Sequence, residues 1–286
     1  MSHFNDTPLS AKQIYLDSKD ATFKEDDNSR CLFYFKESLN PPDNVDIICS
    51  VVNFTCPISF YVVNSTNDRL DFGTASSTGS YQIAHGNYTA TELASLLQTN
   101  LTIVSTVSYN KITNKFVFNA LVPTPSFYFA STSTCLNLLG FSLGTTHYSS
   151  NFFGGHQLLS DNVINLSGPN SIYIHSNLLT YSLDSRTGAL SNILARVPID
   201  TDRNGILQYS PEMPFKTILR NKTIDYIAIK LEDDEERSID FNGLHWAITL
   251  QIDYRYQKET KAMSNLLKVD ETLQDNSEEK TSPKKV

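Results

Sequence analysis

The side chains best able to carry chemistry in this chain of 286 residues are six histidines and one run of acids. The histidines do not pair at the short spacing of metal ligands, and the chain has no nucleophile elbow, phosphate loop or dinucleotide fingerprint. They are His3, His85, His147, His156, His175 and His245. His245 is one of the polar residues that alternate with apolar ones in a predicted strand, and a general base is rare at such a position. The sequence therefore predicts a protein that is not an enzyme and has no catalytic residue or cofactor.

The acidic run Glu232-Asp-Asp-Glu-Glu236 contains the carboxylates that Ca²⁺ prefers as ligands. It lacks the glycine and the terminal glutamate of an EF-hand loop, and strand patterns flank it on both sides. We therefore predict a solvated hairpin turn between Leu231 and Ile239 and no metal site.

Aromatic residues could form a flat platform for sugars. The candidates are Tyr34, Phe60, Tyr61, Phe127, Tyr128 and Phe129. Because strands are rich in aromatic residues, core positions explain most of them. A lectin-like β-sandwich that binds carbohydrate or a receptor, with Ca²⁺ at Asp233 and Asp234, stays open as the alternative function.

Composition narrows the class of protein. The chain is 40% hydrophobic and 19% charged, which is typical of a folded domain, and its net charge of −8 is not that of a nucleic-acid-binding protein. No apolar run is long enough for a membrane helix, and the first twelve residues lack the pattern of a secretory signal. The chain has four cysteines and no CxxC pair, so we expect each cysteine to be a small, buried, apolar residue. They are Cys31, Cys49, Cys56 and Cys135. We therefore expect no membrane span and no sequence-specific binding of nucleic acid.

The elements that position these side chains are mostly strands. The strongest pattern extends from Leu244 to Tyr256, where apolar or aromatic residues alternate with polar ones. A hairpin is predicted around Asn110–Asn114. Thr89 and Glu92 form a capping box before a leucine-rich amphipathic helix, and a shorter helix is predicted over Ser133–Leu139. The fold class is thus all-β with one or two short helices.

Three segments divide the chain. Residues 1–13 are polar and indicate a mobile arm, 14–258 form the β domain, and 259–286 are charged and predict a disordered tail. Within the domain, residues 142–162 are rich in Gly, Ser, Asn and aromatic residues and indicate a long loop. Its Phe152, Phe153, Gly154 and Gly155 are the candidate interface residues.

Several phrases of the sequence occur together in an order that resembles a known family. They are Asp17-Ser18, Gly86-Asn-Tyr-Thr-Ala-Thr-Glu-Leu93, Tyr109-Asn-Lys-Ile-Thr-Asn-Lys-Phe116, Leu138-Leu-Gly-Phe141, Ile193-Leu-Ala-Arg-Val-Pro-Ile199, and Glu232-Asp-Asp followed by Ile239-Asp-Phe-Asn-Gly243. Over residues 14–256 the chain resembles the penton, or minor capsid, proteins of Polinton-like viruses, virophages and their relatives.

The resemblance implies a single jelly-roll β-sandwich that assembles as a homopentamer at the vertices of an icosahedral capsid. It also implies a trimeric double jelly-roll major capsid protein as partner, and a location in the virion after synthesis in the host cytoplasm. The matching residues would have structural roles. Gly86, Asn87 and Tyr88 would lead into the helix, Leu139, Gly140 and Phe141 would bend the chain and cover the helix, and Asn242, Gly243 and Trp246 would form a turn and a buried face at the last strand.

Overall fold

The computed structural model describes residues 10–41, 44–121, 125–178, 180, 182–183, 190–220 and 223–256. The chain begins with β1 (Ser10–Asp17), a 3-10 turn (Ser18–Asp20), β2 (Phe23–Lys24), β3 (Arg30–Leu39) and β4 (Val45–Pro57). Its middle part contains β5 (Arg69–Thr74), β6 (Thr78–Gln82), α1 (Ala90–Asn100), β7 (Thr106–Asn110), β8 (Lys115–Leu121), β9 (Phe127–Phe129), β10 (His147–Tyr148), β11 (Ser150–Phe152) and β12 (Gly155–Leu159). Its last part contains β13 (Ser171–Ser176), β14 (Ser182–Leu183), β15 (Leu190–Ser191), β16 (Ile193–Pro198), β17 (Ile206–Tyr209), β18 (Thr217–Ile218), β19 (Ile224–Glu232) and β20 (Ala247–Tyr256).

Two antiparallel sheets form a sandwich. One sheet has the order β1-β20-β4-β17, with β18 also pairing with β4, and the other has the order β16-β13-β19-β3-β2. When the eight sandwich strands β1, β3, β4, β13, β16, β17, β19 and β20 are counted in chain order, the two sheets have the orders 1-8-3-6 and 2-7-4-5. This connectivity is that of a jelly roll. The predicted all-β, single jelly-roll sandwich is confirmed.

Residues 58–170 are inserted between β4 and β13, and we call them the insertion. They form two further four-stranded sheets, β10-β9-β5-β6 and β11-β12-β8-β7, which enclose a separate apolar core together with α1. The core of the sandwich is a different cluster, built from the facing sides of its two sheets. The described residues therefore form two hydrophobic cores.

The two ends of the sandwich differ. Asp17, Ala247 and Thr55 are neighbours across the sheet at the end where β4 leads into the insertion. At the opposite end, Ser10 and Tyr254 are paired, so the chain begins and finishes its described part there. Since β20 has ten residues at about 3.3 Å each, roughly 30 Å separate these ends.

The predicted boundary of the N-terminal arm needs correction. Residues 10–13 belong to β1, where Ser10 pairs with Tyr254 and Gln13 with Gln251, so the folded part begins at least four residues before position 14. Pairing of an edge strand uses backbone hydrogen bonds, which polar residues can form as well as apolar ones. Residues 1–9 of the arm and the predicted tail, 259–286, lie outside the described residues.

The helix α1 begins as predicted. The Thr89 hydroxyl accepts a hydrogen bond from the Glu92 backbone amide, the Glu92 carboxylate accepts one from the Thr89 amide, and Leu93 and Leu97 are fully buried. The second predicted helix, over Ser133–Leu139, is wrong, because this segment forms only a hydrogen-bonded turn closed by Phe141 N donating to Leu136 O at 2.8 Å. One turn that ends at a glycine offers too few intrahelical bonds to continue. Within the described part of the chain, no helix is long and apolar enough to cross a membrane.

Candidate assembly surfaces

The acidic run is a tight turn whose first aspartate is buried. Asp233 Oδ1 accepts hydrogen bonds from the amides of Glu235 and Arg237 at 2.8 and 2.9 Å, and Oδ2 accepts one from Arg237 Nε at 2.8 Å. The predicted hairpin is therefore present, although Asp233 is not solvated. Its carboxylate is used by the turn itself, and no group of His, Cys, Asp and Glu in the described ranges is arranged to hold a metal ion.

The histidines lie in separate places, and His3 falls outside the described residues. Four of the others lie close to a polar partner: His85 Nε2 to Asp68 at 2.9 Å, His147 Nδ1 to Asp161 at 3.0 Å, His175 Nδ1 to Asn192 Oδ1 at 3.1 Å and His245 Nδ1 to the Ser18 hydroxyl at 3.3 Å. His175 Nε2 lies 3.0 Å from Glu232 without forming a hydrogen bond. Burial works to raise the pKa of Asp68, but hydrogen bonds from Gln82 and His85 outweigh it and lower the pKa. These pairs join neighbouring elements rather than converging on one site.

The six aromatic residues that could have formed a sugar platform lie in different parts of the molecule, and three of them, Phe60, Phe127 and Phe129, pack in or against a core. Phe127 and Phe129 are in the core of the insertion, whereas Tyr34 stacks on Tyr226 across the outer surface of the sandwich, with ring centroids 5.3 Å apart. Tyr61 is exposed in a cleft of about 820 Å³ between the sandwich and the insertion. The polar side chains of this cleft bond one another or nearby backbone carbonyls. Asn170, for example, donates to Asp234 at 3.1 Å.

The four cysteines are free and buried. Burial raises the pKa of Cys31 to about 11 and those of Cys49, Cys56 and Cys135 to about 12. Since the thiolate is the reactive form, these thiols are inert at neutral pH.

The motif residues around α1 tie it to the rest of the insertion. Gly86 and Val63 exchange two backbone hydrogen bonds of 3.0 Å, Asn87 Oδ1 accepts one from the Val62 amide, and the Tyr88 hydroxyl donates to Ala84 O. Leu139 and Phe141 are buried beside the helix in the same core. Gly140 between them has a φ of +81°, and a Cβ there would lie 2.4 Å from Asn162 O, so the bend requires glycine.

The motif residues before the last strand form a turn. Asn242 and Gly243 both have positive φ, +49° and +78°, and β20 consequently begins at Ala247, three residues later than predicted. Trp246 is buried just before the strand, and its indole Nε1 donates to Asn28 O at 2.7 Å.

Residues 142–162 are not an irregular loop, because they contain the short strands β10, β11 and β12. The predicted interface residues are at the hairpin of β11 and β12, where Gly154 has a φ of +75° and makes the turn. Phe153 at the tip is 94% exposed, and its ring meets that of Phe152 edge-to-face with centroids 5.0 Å apart.

The apolar surface continues from this tip along the outer face of the sheet. Phe152 pairs with Gly155 and Gly155 with Leu121, so Phe152 and Leu121 lie on the same face on either side of a residue without a side chain. Leu159 is exposed on that face too. We call Leu121, Phe152, Phe153 and Leu159 the hairpin surface. On this face Gln157 and Asn119 separate Leu159 from Leu121, whereas Leu121, Phe152 and Phe153 adjoin one another, and adjoining exposed apolar side chains mark interaction sites.

Two further apolar surfaces, which the sequence patterns did not indicate, lie at the lateral edges of the sandwich. At one edge, a groove of about 400 Å³ between β1 and β3 is lined by Leu16, Phe33 and Phe35, with the exposed Tyr15 and Tyr34 also in its lining. At the other edge, the loop 210–216 connects β17 to β18 and exposes Met213 and Phe215. The two prolines of this segment, Pro211 and Pro214, are the signal that could have revealed the loop. The polar and apolar residues around them follow no strand pattern.

The comparisons with known proteins found similarity in structure and none in sequence. A scan against protein-family models gave no match, and a search of curated proteins found no similar sequence. Among solved structures, the chain is similar to the mavirus penton protein, with a TM-score of 0.44 and 10% identity over 86% of this chain and 100% of that chain. It is also similar to a chain in the 3.5 Å cryo-EM structure of the Sputnik virophage, with a TM-score of 0.34 and 14% identity over 86% and 98%. The fold itself is established by the strand order of the two sheets.

Proposed function

We propose that this protein is a structural subunit of an icosahedral virion, in which five copies form the capsomer at each vertex. The jelly-roll strand order carries the proposal, together with the colinear motifs that resemble penton proteins. The neighbouring capsomers would be trimers of a double jelly-roll major capsid protein. The protein would be made in the host cytoplasm and would act by assembly rather than by turnover.

The two unlike ends of the sandwich support a defined orientation in such a shell. The insertion extends from one end, and Ser10 and Tyr256 are the limits of the described chain at the other. In our proposal the insertion faces away from the capsid interior. The chain ends then face the interior or a neighbouring capsomer.

The hairpin surface supports contacts between subunits. Phe152 and Phe153 expose apolar rings on a hairpin, and burying the Phe153 ring, which is 94% exposed, against another protein would contribute roughly 1.5–3 kcal/mol. An interface of this kind combines an apolar centre with a polar rim. The rim is available in Ser150, Asn151 and Gln157 of the same hairpin.

The test is the mass of the full-length protein in solution, measured by native mass spectrometry with and without the cognate major capsid protein. We expect a fivefold species, either alone or with the partner. A protein that stays monomeric or trimeric under both conditions contradicts the proposal. Binding of glycans by that monomer or trimer would favour the lectin-like alternative.

A matched pair of variants tests the hairpin surface. Phe153→Ser should reduce the fivefold fraction, because it removes an exposed ring that assembly would cover. Ile112→Ser removes an equally exposed side chain at the turn between β7 and β8 and should leave the mass distribution unchanged. Equal effects of the two variants would show that the hairpin surface is not part of the interface between subunits.

A further inference from the structure

The cleft between the sandwich and the insertion has two unlike walls. The wall formed by the insertion exposes the ring of Tyr61 and the side chain of Leu143 among amides and hydroxyls, and it carries no carboxylate. The wall formed by the sandwich carries five carboxylates, and we call it the acidic wall. They are Asp27, Asp233, Asp234, Glu235 and Asp240. The volume of the cleft, about 820 Å³, lies within the range of sites for small organic ligands, roughly 300–1,000 Å³.

The acidic wall offers hydrogen-bond acceptors that the protein does not use. One oxygen of Asp27 and one of Asp240 each accept a hydrogen bond of 2.8 Å from the backbone amide two residues later. One oxygen of Asp234 accepts the bond from Asn170. The second oxygen of each of these three carboxylates has no donor among the described residues. These bonds hold the carboxylates in place, and a ligand on this wall must itself donate hydrogen bonds.

The charge of the cleft disfavours acidic ligands. Among the described lining residues, Arg237 is the single Lys or Arg, and its guanidinium bonds Asp233 and Glu235 at 2.8 and 2.9 Å. The remaining carboxylates keep the cleft negative, so a phosphate, sulfate or carboxylate group would be repelled. The ligand that fits is therefore rich in donors and has no negative charge.

A sugar has the two kinds of surface that the two walls match. One face of a pyranose ring presents C–H groups, which pack on an aromatic ring, and each of its hydroxyls can donate a hydrogen bond. A peptide backbone presents one acceptor for almost every donor, and the carboxylates of the acidic wall would leave those acceptors unpaired.

We propose that this cleft binds a neutral oligosaccharide, with a sugar ring on Tyr61 and sugar hydroxyls bonded to the free oxygens of the acidic wall. All lining residues belong to one copy of the chain. The site therefore goes beyond the proposed function and does not depend on assembly.

Saturation-transfer NMR on the full-length protein tests this proposal. The probes are neutral oligosaccharides of galactose, glucose, mannose and N-acetylglucosamine at about 10 mM, a concentration that fills sites with millimolar Kd, together with sialylated and sulfated counterparts. We expect transfer to the C–H protons of at least one neutral sugar and weaker transfer to its acidic counterparts. No transfer to any neutral sugar, or stronger binding of the acidic ones, would overturn the proposal. Binding of a lysine-rich peptide in the absence of sugar binding would overturn it too.

Matched variants locate the binding. Tyr61→Ala removes the ring and should weaken binding of the neutral sugar by about tenfold. Tyr148→Ala removes a ring that is 71% exposed on β10, outside the lining of the cleft, and should leave binding unchanged. Equal binding by Tyr61→Ala and the unmodified protein would show that the sugar binds elsewhere, which also overturns the proposal.

A second variant tests the acidic wall without changing the aromatic ring. Asp234→Ala removes one of the free oxygens and should weaken binding by about fivefold. Its partner Asn170 is exposed, so water can take the place of the carboxylate and the fold is kept. Unchanged sugar binding by Asp234→Ala would contradict the assigned role of the acidic wall.

Discussion

The sandwich and the insertion are both built from antiparallel sheets, but they fill their cores differently. The sandwich has strands of up to 13 residues, and its core is mostly isoleucine, leucine and valine around the single tryptophan, Trp246. The insertion has strands of two to seven residues, and its core contains six buried phenylalanines. These are Phe72, Phe116, Phe118, Phe127, Phe129 and Phe141.

The phenylalanines of the insertion contact one another directly. The rings of Phe118 and Phe129 are perpendicular with centroids 4.8 Å apart, and those of Phe129 and Phe141 meet edge-to-face at 5.6 Å. Such pairs contribute about 0.5–1.5 kcal/mol beyond the area they bury. Short strands can therefore form a stable core when a few large side chains replace many small ones. Each of these side chains then carries a larger share of the stability.

The largest expected effect comes from Trp246, the exception within the aliphatic core. Trp246→Ala should lower the free energy of unfolding by about 5 kcal/mol, because it leaves a cavity beside Phe33 and Phe54 and removes the hydrogen bond to Asn28 O. Chemical denaturation measures the change. Leu244→Ala, at an exposed position two residues earlier, is the control and should change stability by less than about 0.5 kcal/mol.

The second prediction concerns the independence of the two cores. Phe118→Ala should lower stability by about 3–4 kcal/mol, because Phe118 contacts the rings of Phe116, Phe129 and Phe141. Hydrogen exchange followed by mass spectrometry should show faster exchange in peptides of the insertion and unchanged exchange in β20. Equal acceleration in β20 would mean that both cores unfold as one unit.

The third prediction uses two glycines with similar backbone angles. Gly140→Ala should cost about 2–3 kcal/mol, because alanine is strained at a φ of +81° and its Cβ would press on Asn162 O. Gly144 has a φ of +72°, but no atom lies within 4 Å of a Cβ at this position. Gly144→Ala should therefore cost only about 1 kcal/mol, from backbone strain. Thermal unfolding compares the two. Equal losses would show that the contact with Asn162 relaxes freely.

The smallest expected effect depends on pH and compares one carboxylate from each region. Burial acts to raise the pKa of Asp253 in the sandwich, but hydrogen bonds from Lys216 and Gln251 outweigh it and lower the pKa, as happens for Asp68 in the insertion. A lowered pKa in the folded state stabilises the protein above the ordinary value of 3.8, and this contribution is lost as the pH falls from there through the folded-state pKa. Asp253→Asn and Asp68→Asn should each cost about 1 kcal/mol at pH 7.

Denaturant titrations at pH 7 and near pH 2.5 provide the measurement. The difference between each variant and the unmodified protein should shrink at the lower pH, because the stabilisation by the ionised carboxylate decreases as the pH falls below 3.8 towards its lowered folded-state pKa. A difference that is the same at both pH values would show that the variants act through packing rather than charge.

The sequence predicted local structure well where one short-range interaction decides it. Thr89 and Glu92 specify the start of α1 because the capping box is complete within four residues. The alternation in β20 predicts its buried face, but the left-handed Asn242 and Gly243 delay its start. The sequence places Ser10–Gln13 in the arm, because nothing in their composition shows that β20 lies beside them.

Longer-range features were not accessible from patterns. The jelly-roll class came from the resemblance and the strand order was not predicted, since pairing depends on residues far apart in sequence. The second core could not be predicted, because the aromatic residues of β8 occupy every second position, as they would in a strand of the sandwich. Alternation does not show which core a strand belongs to. The exposed loop at Met213 and Phe215 was missed because exposure is a property of the folded surface.

The pairing of Ser10 with Tyr254 brings the two limits of the described part of the chain together on adjacent strands. A short peptide linker between them could therefore join the ends without disturbing either sheet. New ends could then be opened at the turn between β7 and β8, where Ile112 is 95% exposed. Such a circular permutant would retain both cores while moving the chain termini to the insertion. It would allow a fused domain to be presented from the opposite end of the molecule.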